Sequence, residues 1–108
     1  LFEDYEVLHK NQLAFPRFVH HTEPFLEHNN AIQAFNLWTA LELEGFGCNL
    51  QHLNPHVDQI VSSEWEIPPS WVLKAQLVFG TPVEGPNPNK KFNPIESRLL
   101  VPGYWPAN

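Results

Sequence analysis

The sequence predicts a single domain that contains both helices and strands. Two segments carry helix start and stop signals, one segment alternates as a strand does, and the composition is rich in large apolar side chains. Of the 108 residues 43% are hydrophobic and 13% aromatic, which is typical of a chain that forms a core. A chain of this length has room for one domain at most.

The first long helix is predicted to begin at Asn29 or Asn30, which are good N-cap residues, and to end at Glu44. Gly45 then follows as the residue that can take the left-handed conformation after a helix. Because its apolar residues cover more than one face, we expect this helix to be central or to pack on two surfaces. These residues are Ala31, Ile32, Phe35, Leu37, Trp38, Leu41 and Leu43.

The segment before this helix is predicted to be less regular. Residues 1–8 are compatible with the tail of a strand that leaves a sheet. In residues 9–28, Pro16 and Pro24 are expected to limit any helix to one or two turns.

The second half of the chain predicts a shorter helix, a strand and a proline-rich tail. Asn54 is expected to cap the helix, with Pro55 in its first position and an end near Trp65. Residues 71–79 alternate as a single strand that is central or near-central in its sheet. From Gly80 onward the chain holds six of its eleven prolines, so we expect this tail to be ordered only across another surface.

The decamer Gly45–Asn54 is the most informative segment of the sequence. It is interpreted as a helix end, a short loop and a second helix start. Such a loop can present main-chain N–H groups, at the positive end of a helix dipole, to a flat polar ligand. On the residues alone, the segment is equally compatible with a plain connection between two helices.

Four groups of residues, in this order and spacing, resemble the fungal branch of the nitroreductase family. The first three groups are Phe35–Leu41, Gly45–Asn54, and Trp65–Trp71 with Lys74–Gly80. The fourth group, near the C-terminus, consists of the pair Lys91-Phe92 and the triplet Glu96-Ser97-Arg98. The resemblance covers nearly all of this chain but only the back half of the family's usual domain. We therefore interpret residues 1–108 as the C-terminal part of one such domain, with residues 1–80 as its core and residues 81–108 as an extended arm.

The resemblance implies an α+β fold in which helices flank an antiparallel sheet and the C-terminal arm crosses to a partner subunit. It also implies a homodimer with one FMN at each of two sites along the interface. Proteins of this kind take a hydride from NADH or NADPH and pass electrons to nitroaromatic or quinone-type acceptors in alternating half-reactions. No side-chain acid or base is obligatory in such a ping-pong mechanism, and we single out no catalytic residue.

The resemblance also implies which residues contact the cofactor. The main chain of Gln51 and His52 would face N5 and O4 of the flavin, and Leu50 and Asn49 would line the approach. The ring needs donors at these atoms, and it needs positive potential near N1 and O2, where charge accumulates on reduction.

The phosphate of FMN needs cationic or N–H donors, and the family's basic position in the arm matches Lys90 and Lys91, followed by Arg98. Adjacent lysines on a polar tail are also compatible with a solvated surface pair. The Arg-rich segment that the family carries near the start of its domain is not in this chain. We therefore expect a homodimer or an association with the missing N-terminal half, and we expect residues 1–108 alone not to hold FMN stoichiometrically.

Charge and cysteine content exclude several other functions. Twelve acidic and six basic residues give a formal net charge of -6, which disfavours nucleic acid and anionic membranes as partners. No apolar run approaches the roughly 20 residues of a membrane span. The single cysteine, Cys48, cannot form an internal disulfide, which favours a reducing compartment: the cytoplasm, with the nucleus as an alternative.

The six histidines and Cys48 do not indicate a metal or thiol site. Only His52 and His56 have helical spacing, and Pro55 places His52 before the helix, so we expect no metal. Cys48 is interpreted as a small residue behind the loop. Two functions thus stay open: an FMN-dependent oxidoreductase, or a truncated, flavin-free relative that serves as a structural or interaction subunit. The sequence does not identify the acceptor or choose between NADH and NADPH.

Overall fold

The computed structural model describes residues 1–103 and confirms an α+β fold of helices and antiparallel strands. The elements, in chain order, are β1 (Phe2–Asp4), α1 (Tyr5–Ala14), α2 (Val19–Leu43), β2 (Gly47–Gln51), α3 (Asp58–Glu64), β3 (Trp71–Leu73) and β4 (Gln76–Gly80). Short 3-10 helices lie at Pro16–Phe18 and Ile95–Ser97. Among the described residues, no helix is long and apolar enough to cross a membrane.

The N-terminal strand β1 pairs with β3, which lies about 70 residues later in the chain. β1 and β3 form a two-stranded antiparallel sheet in which Phe2 lies opposite Leu73 and Asp4 opposite Trp71. The side chain of Asp4 then caps α1, because its Oδ1 accepts the N–H of Glu6 at 2.9 Å. The strand predicted within residues 1–8 is confirmed, and it passes directly into a helix.

The prediction of short helices in residues 9–28 is wrong. α1 has 10 residues, and α2 begins at Val19 and continues without a break for 25 residues. Pro24 lies inside α2, where it removes one helical hydrogen bond; because the residue is exposed, water can solvate the carbonyl that is freed. The packing of the long helix that follows outweighs this local loss.

The predicted helix start at Asn29 or Asn30 is wrong for the same reason, since both residues lie inside α2. The side-chain amide of Asn30 donates to the carbonyl of Phe2 at 3.2 Å and does not cap the helix. A residue type that is typical of caps is used here to tie α2 to β1.

The predicted end of α2 is confirmed in detail. Gly45 has a φ of 92°, and its N–H donates to the carbonyl of Glu42 at 3.0 Å. The N–H of Phe46 donates to the carbonyl of Leu41, also at 3.0 Å. These two bonds are those of a Schellman motif, in which a left-handed glycine turns the chain away from the helix axis.

The expected loop after Gly45 is instead a strand. β2 pairs with β4 in an antiparallel register that sets Gly47 opposite Gly80 and Gln51 opposite Gln76. Local signals did not show this strand, because β2 contains a glycine and an asparagine and is formed by pairing with a strand far along the chain.

The single strand predicted for residues 71–79 is two strands in two sheets, so neither has a central position. The break lies at Lys74 and Ala75, whose N–H groups both approach the carbonyl of Leu1, at 2.9 and 3.4 Å. Two residues opposite one is the arrangement of a β-bulge, which bends a strand. The bulge passes the chain from the sheet of β1 to the sheet of β2.

The second predicted helix begins later than its signals indicate. α3 starts at Asp58 with Val57 as its N-cap, so Asn54 and Pro55 lie in a turn before it. The prediction fails because the Asn54 side chain bonds to other parts of the chain and leaves the helix N-terminus uncapped. The predicted end near Trp65 is confirmed, since Trp65 is the C-cap residue.

The core of the described chain is small. Only four hydrophobic residues are buried, and they come from α1, α2, β3 and the bulge: Leu8, Ala34, Leu73 and Ala75. Many large apolar side chains stay exposed, among them Phe15, Phe18, Phe25, Ile32 and Phe35. The radius of gyration is 18.8 Å, whereas a compact chain of this length has about 13 Å. The surface of α2 is therefore suited to packing against more chain than is described.

The C-terminal arm has little secondary structure apart from Ile95–Ser97. Its division from the core at residue 80 and its crossing to a partner subunit stay predictions. The last five residues of the predicted arm, 104–108, lie outside the described residues.

Candidate functional site

The predicted flavin-contacting segment lies at the end of β2. Gln51 is the last residue of the strand, and His52 and Leu53 follow it as exposed residues. The N–H of Leu53 is engaged, since it donates to Oε1 of Gln76 at 2.8 Å. Outside the pairing of strands, none of the hydrogen bonds in residues 1–103 is donated by the N–H of His52. This main-chain donor is available to a ligand.

The side chains of Leu50 and His52 face a hollow of about 330 Å³ between the end of β2 and α2. Six residues on one face of α2 line it: Glu27, Asn30, Ala31, Ala34, Phe35 and Trp38. Leu1, Lys74 and Ala75 complete the lining. A volume of this size is at the lower end of ligand-binding cavities, and its lining is mostly apolar with a few polar groups.

Asn49 lines a different hollow from Leu50. Successive side chains of a strand point to opposite faces, and Asn49 lies in an open depression with Gly47, Val78 and Phe79. The structure therefore brings Leu50 and His52 together and separates Asn49 from them. The assignment of Asn49, Leu50, Gln51 and His52 to the cofactor stays a prediction.

A network of side-chain amides holds the segment after β2, and the sequence reasoning did not identify it. Nε2 of Gln76 donates to Oδ1 of Asn54 at 3.1 Å. Nδ2 of Asn54 donates to the carbonyl of Leu73 at 2.9 Å and to Oδ1 of Asp58 at 2.6 Å. Gln76 and Asn54 are both half-buried. An asparagine before a proline suggested only a helix cap, so the local signal pointed to the wrong role.

A charged cluster at the edge of the hollow was also missed. Nζ of Lys74 lies 2.9 Å from Oε1 of Glu27 and 3.5 Å from Oε2 of Glu3. It also donates to the hydroxyl of Tyr5 at 3.0 Å. Burial raises the pKa of Glu3, whereas the hydrogen bond from Lys74 lowers the pKa of Glu27. A lysine within the mostly apolar segment 71–79 was the one available signal for this cluster.

Lys90, Lys91 and Arg98, the predicted phosphate ligands, are exposed on the arm. The ammonium of Lys90 lies 5.4 Å from the ring centroid of Phe92. In the described part of the chain, no hydrogen bond or ion pair joins the three cations to Asn49–His52. Their role at a phosphate stays a prediction.

Residues 1–103 contain no group of three or more His, Cys, Asp and Glu side chains that could hold a metal ion. Cys48 is half-buried on β2, and burial raises the pKa of its thiol, with a contribution from the Glu42 carboxylate. A raised pKa keeps the group as the unreactive thiol at neutral pH.

Comparison with known proteins shows what this chain is similar to. The putative nitroreductase HBN1 of Saccharomyces cerevisiae is 39% identical over 85 residues, which are 79% of this chain and 43% of that protein. The nitroreductase FRM2 of the same yeast is 38% identical over 82 residues, which are 76% of this chain and 38% of that protein. No family model matches the chain.

Solved structures give the same result for the fold. Nitroreductase CinD from Lactococcus lactis, in complex with 4-nitrophenol, superposes with a TM-score of 0.83 at 40% identity. The match covers 93% of this chain and 53% of that one. The complex of CinD with nicotinic acid superposes equally well.

These similarities define the class of protein as one with the nitroreductase fold, of which this chain forms about half. The chain belongs to the nitroreductase-like proteins of the fungal type and matches the C-terminal part of its relatives. The family resemblance seen in the sequence is thereby confirmed.

Proposed function

We propose that residues 1–108 form the back half of an FMN-dependent oxidoreductase that takes electrons from NAD(P)H and passes them to nitroaromatic or quinone-type acceptors. Similarity to nitroreductases supports a flavin-type oxidoreductase in general. The nitrophenol complex of CinD is consistent with an aromatic acceptor, because the two chains share this half of the fold.

The observation that carries the proposal is the unengaged N–H of His52 beside Gln51 at the end of β2. By the family resemblance, the main chain of these two residues would face N5 and O4 of the flavin, and the N–H of His52 is the donor that strand pairing leaves unengaged. When it is bound, FMN supplies the capacity to accept a hydride and return electrons to an acceptor. A fixed N–H donor would hold the edge of the ring in place without having to reorganise when the ring is reduced.

The hollow beside these donors suits the flat, apolar body of a ring. Leu50 and Trp38 supply apolar surface there, which excludes water and strengthens the hydrogen bonds at its edge. Lys74 is paired with Glu27 at 2.9 Å, so it is not a free cation beside the ring. The side chains of this segment bind and orient the ring, and none is needed as an acid or base.

Lys90, Lys91 and Arg98 bind the FMN phosphate in this proposal. They are on the arm, and they reach a phosphate when the arm lies across a partner subunit. The proposal therefore includes a homodimer, or the front half of the domain, as the other part of the site.

The experiment is to purify the intact protein that carries these residues and to record its visible absorbance spectrum together with its intact mass. We expect flavin bands, and released FMN after denaturation. His52→Pro removes the N–H while residue 51 keeps its strand conformation, so this variant should lose FMN. The matched variant His52→Ala keeps the N–H and should retain FMN. Equal FMN content in both variants would contradict the role of the main chain.

The second candidate is a flavin-free relative that serves as a structural or interaction subunit. The separation of the arm cations from the end of β2 favours it for the isolated chain. A colourless 12.5 kDa species from the native source would support this candidate and end the claim of enzyme activity for this polypeptide. We expect the cytoplasm as the location, with the nucleus as the alternative, since Cys48 is a free thiol.

A further inference from the structure

The main chain from Gln51 to Asn54 is held at both ends by contacts to β4. Gln51 is paired with Gln76 in the β2–β4 register. Two residues later, the side chain of the same Gln76 accepts the N–H of Leu53. Gln76 of β4 thus contacts the residues on both sides of His52. The N–H of His52, an exposed residue, lies between these two contacts.

The direction of each amide in this network follows from the backbone groups at its ends. The carbonyl of Leu73 can only accept, so Asn54 must turn its NH₂ group toward it. Oδ1 of Asn54 then faces Gln76 and accepts from its Nε2. This leaves Oε1 of Gln76 for the N–H of Leu53, as observed. Only one assignment of the two amides satisfies every partner.

The network is also tied to two secondary-structure elements. Asn54 donates to the carbonyl of Leu73, the last residue of β3, and to the carboxylate of Asp58, the first residue of α3. Both elements would have to move before the turn could swing away from β4. The peptide of His52 therefore has little freedom to rotate.

We propose that Gln76 and Asn54 are positioning residues that aim the main-chain N–H of His52 at the flavin. This role rests on the function proposed above. Neither side chain touches the cofactor. Their effect would be to keep this donor oriented whether or not the ring is bound, since a hydrogen bond weakens steeply when its angle is lost.

The test uses the intact, FMN-loaded protein and the variant Gln76→Met, which keeps the length of the side chain and removes both hydrogen bonds. The dissociation constants of oxidised and reduced FMN are measured by fluorescence titration and from the reduction potential. Because O4 stays an acceptor and gains electron density when the ring is reduced, a misaimed donor there weakens the reduced complex more, and we expect the affinity for reduced FMN to fall about tenfold more than that for oxidised FMN. A tenfold difference makes the two-electron potential more negative by about 30 mV.

Hydrogen exchange of the apo protein gives a second readout that does not need the cofactor. The amide of Leu53 should lose protection in Gln76→Met. Gln59→Met is the matched control, since Gln59 is an exposed residue of α3 with no side-chain bond to this turn. It should leave protection, affinity and potential unchanged. If Gln76→Met does not fold, Gln76→Asn is used instead. Its side chain is one methylene shorter, so its amide should not reach Leu53 and Asn54, and the same results are expected.

The outcomes separate this inference from the proposed function. If the intact wild-type protein does not bind FMN, the proposed function and the positioning role are both wrong. A wild-type protein that binds FMN, with a Gln76→Met variant of unchanged affinity and potential, would overturn the positioning role alone. A variant with a lower melting temperature but an unchanged potential would have the same meaning, because it would show that Gln76 only stabilises the fold.

Discussion

The ammonium of Lys74 lies 3.5 Å from Oε2 of Glu3, a carboxylate whose side chain is only 1% exposed. The same ammonium lies 2.9 Å from Glu27 and bonds to Tyr5. One cation at the bulge between β3 and β4 therefore joins β1, α1 and α2. Neither oxygen of Glu3 has a hydrogen-bond partner within the described chain, so Lys74 is its main compensation there.

Replacing Lys74 by Met should destabilise the protein strongly. The carboxylate of Glu3 would stay buried without its counter-charge. Breaking a buried ion pair typically costs about 3–5 kcal/mol, and we expect a loss of about 3 kcal/mol because Lys74 is partly exposed. The free energy of unfolding, from urea or guanidinium titration of the intact protein, is the measurement.

Lys10→Met is the control for this prediction. Lys10 forms an exposed ion pair with Glu6 at 2.8 Å, one helical turn away on α1. Such pairs contribute little, so the melting temperature should not change measurably. Equal effects of the two substitutions would show that the Lys74 cluster has no special importance.

The two carboxylates of the cluster should give opposite pH dependences. Burial raises the pKa of Glu3 above its ordinary 4.5, so ionisation of Glu3 costs stability as the pH rises through the folded-state pKa. Glu3→Gln should therefore gain free energy of unfolding, relative to wild type, as the pH is raised above 4.5.

For Glu27, the hydrogen bond from Lys74 lowers the pKa, so its charge stabilises the fold above 4.5 and the benefit is lost as the pH falls. Glu27→Gln should therefore lose stability relative to wild type as the pH rises toward 4.5, and the difference should stay constant above that pH. Denaturant titrations between about pH 3 and 7 measure both variants. Trends of the same sign in the two variants would contradict the assignment.

Gly45→Ala should lower the stability of the C-terminal end of α2. No atom lies within 4 Å of the added Cβ, so the cost is purely conformational and arises from a φ of 92°. We expect a loss of about 1 kcal/mol in the free energy of unfolding. Gly85→Ala also has open space and no left-handed φ, and it should be neutral or slightly stabilising. A neutral Gly45→Ala would show that the Schellman turn can be rebuilt without the left-handed residue.

Residues 1–108 expressed alone should neither hold FMN stoichiometrically nor behave as a compact monomer. Phe35 is 69% exposed and Phe18 56% exposed, and patches of this kind are covered by other chain in stable proteins. Size-exclusion chromatography with light scattering and an absorbance spectrum test this together. A yellow, monodisperse monomer would refute the expectation and would place the complete site in this segment.

The accuracy of the sequence predictions depended on the range of the interactions involved. Gly45 was predicted correctly because a helix end is satisfied by its own last turn. Asn30 and Asn54 were misassigned as caps because their amides bond to residues distant in the sequence, Phe2 and Leu73. Pro24 was wrongly predicted to end a helix, because the loss of one backbone hydrogen bond is outweighed by the other interactions of α2.

The candidate site shows the same limit. The segment Asn49–His52 was found from its resemblance to a family, but its conformation was predicted as a loop. β2 forms because it pairs with Gln76–Gly80. The local sequence of Gly47–Gln51 does not indicate pairing with a segment that distant in the chain.

The sequence by itself determined the α+β class, the family, and the place where α2 ends, since these follow from composition, motif order and local backbone preferences. The tertiary structure decided the rest. It split one predicted strand between two sheets, made β2 a strand, and set the unengaged N–H of His52 between two anchors from Gln76. The physical reason is that hydrogen bonds between distant residues select among local conformations that differ by about 1 kcal/mol.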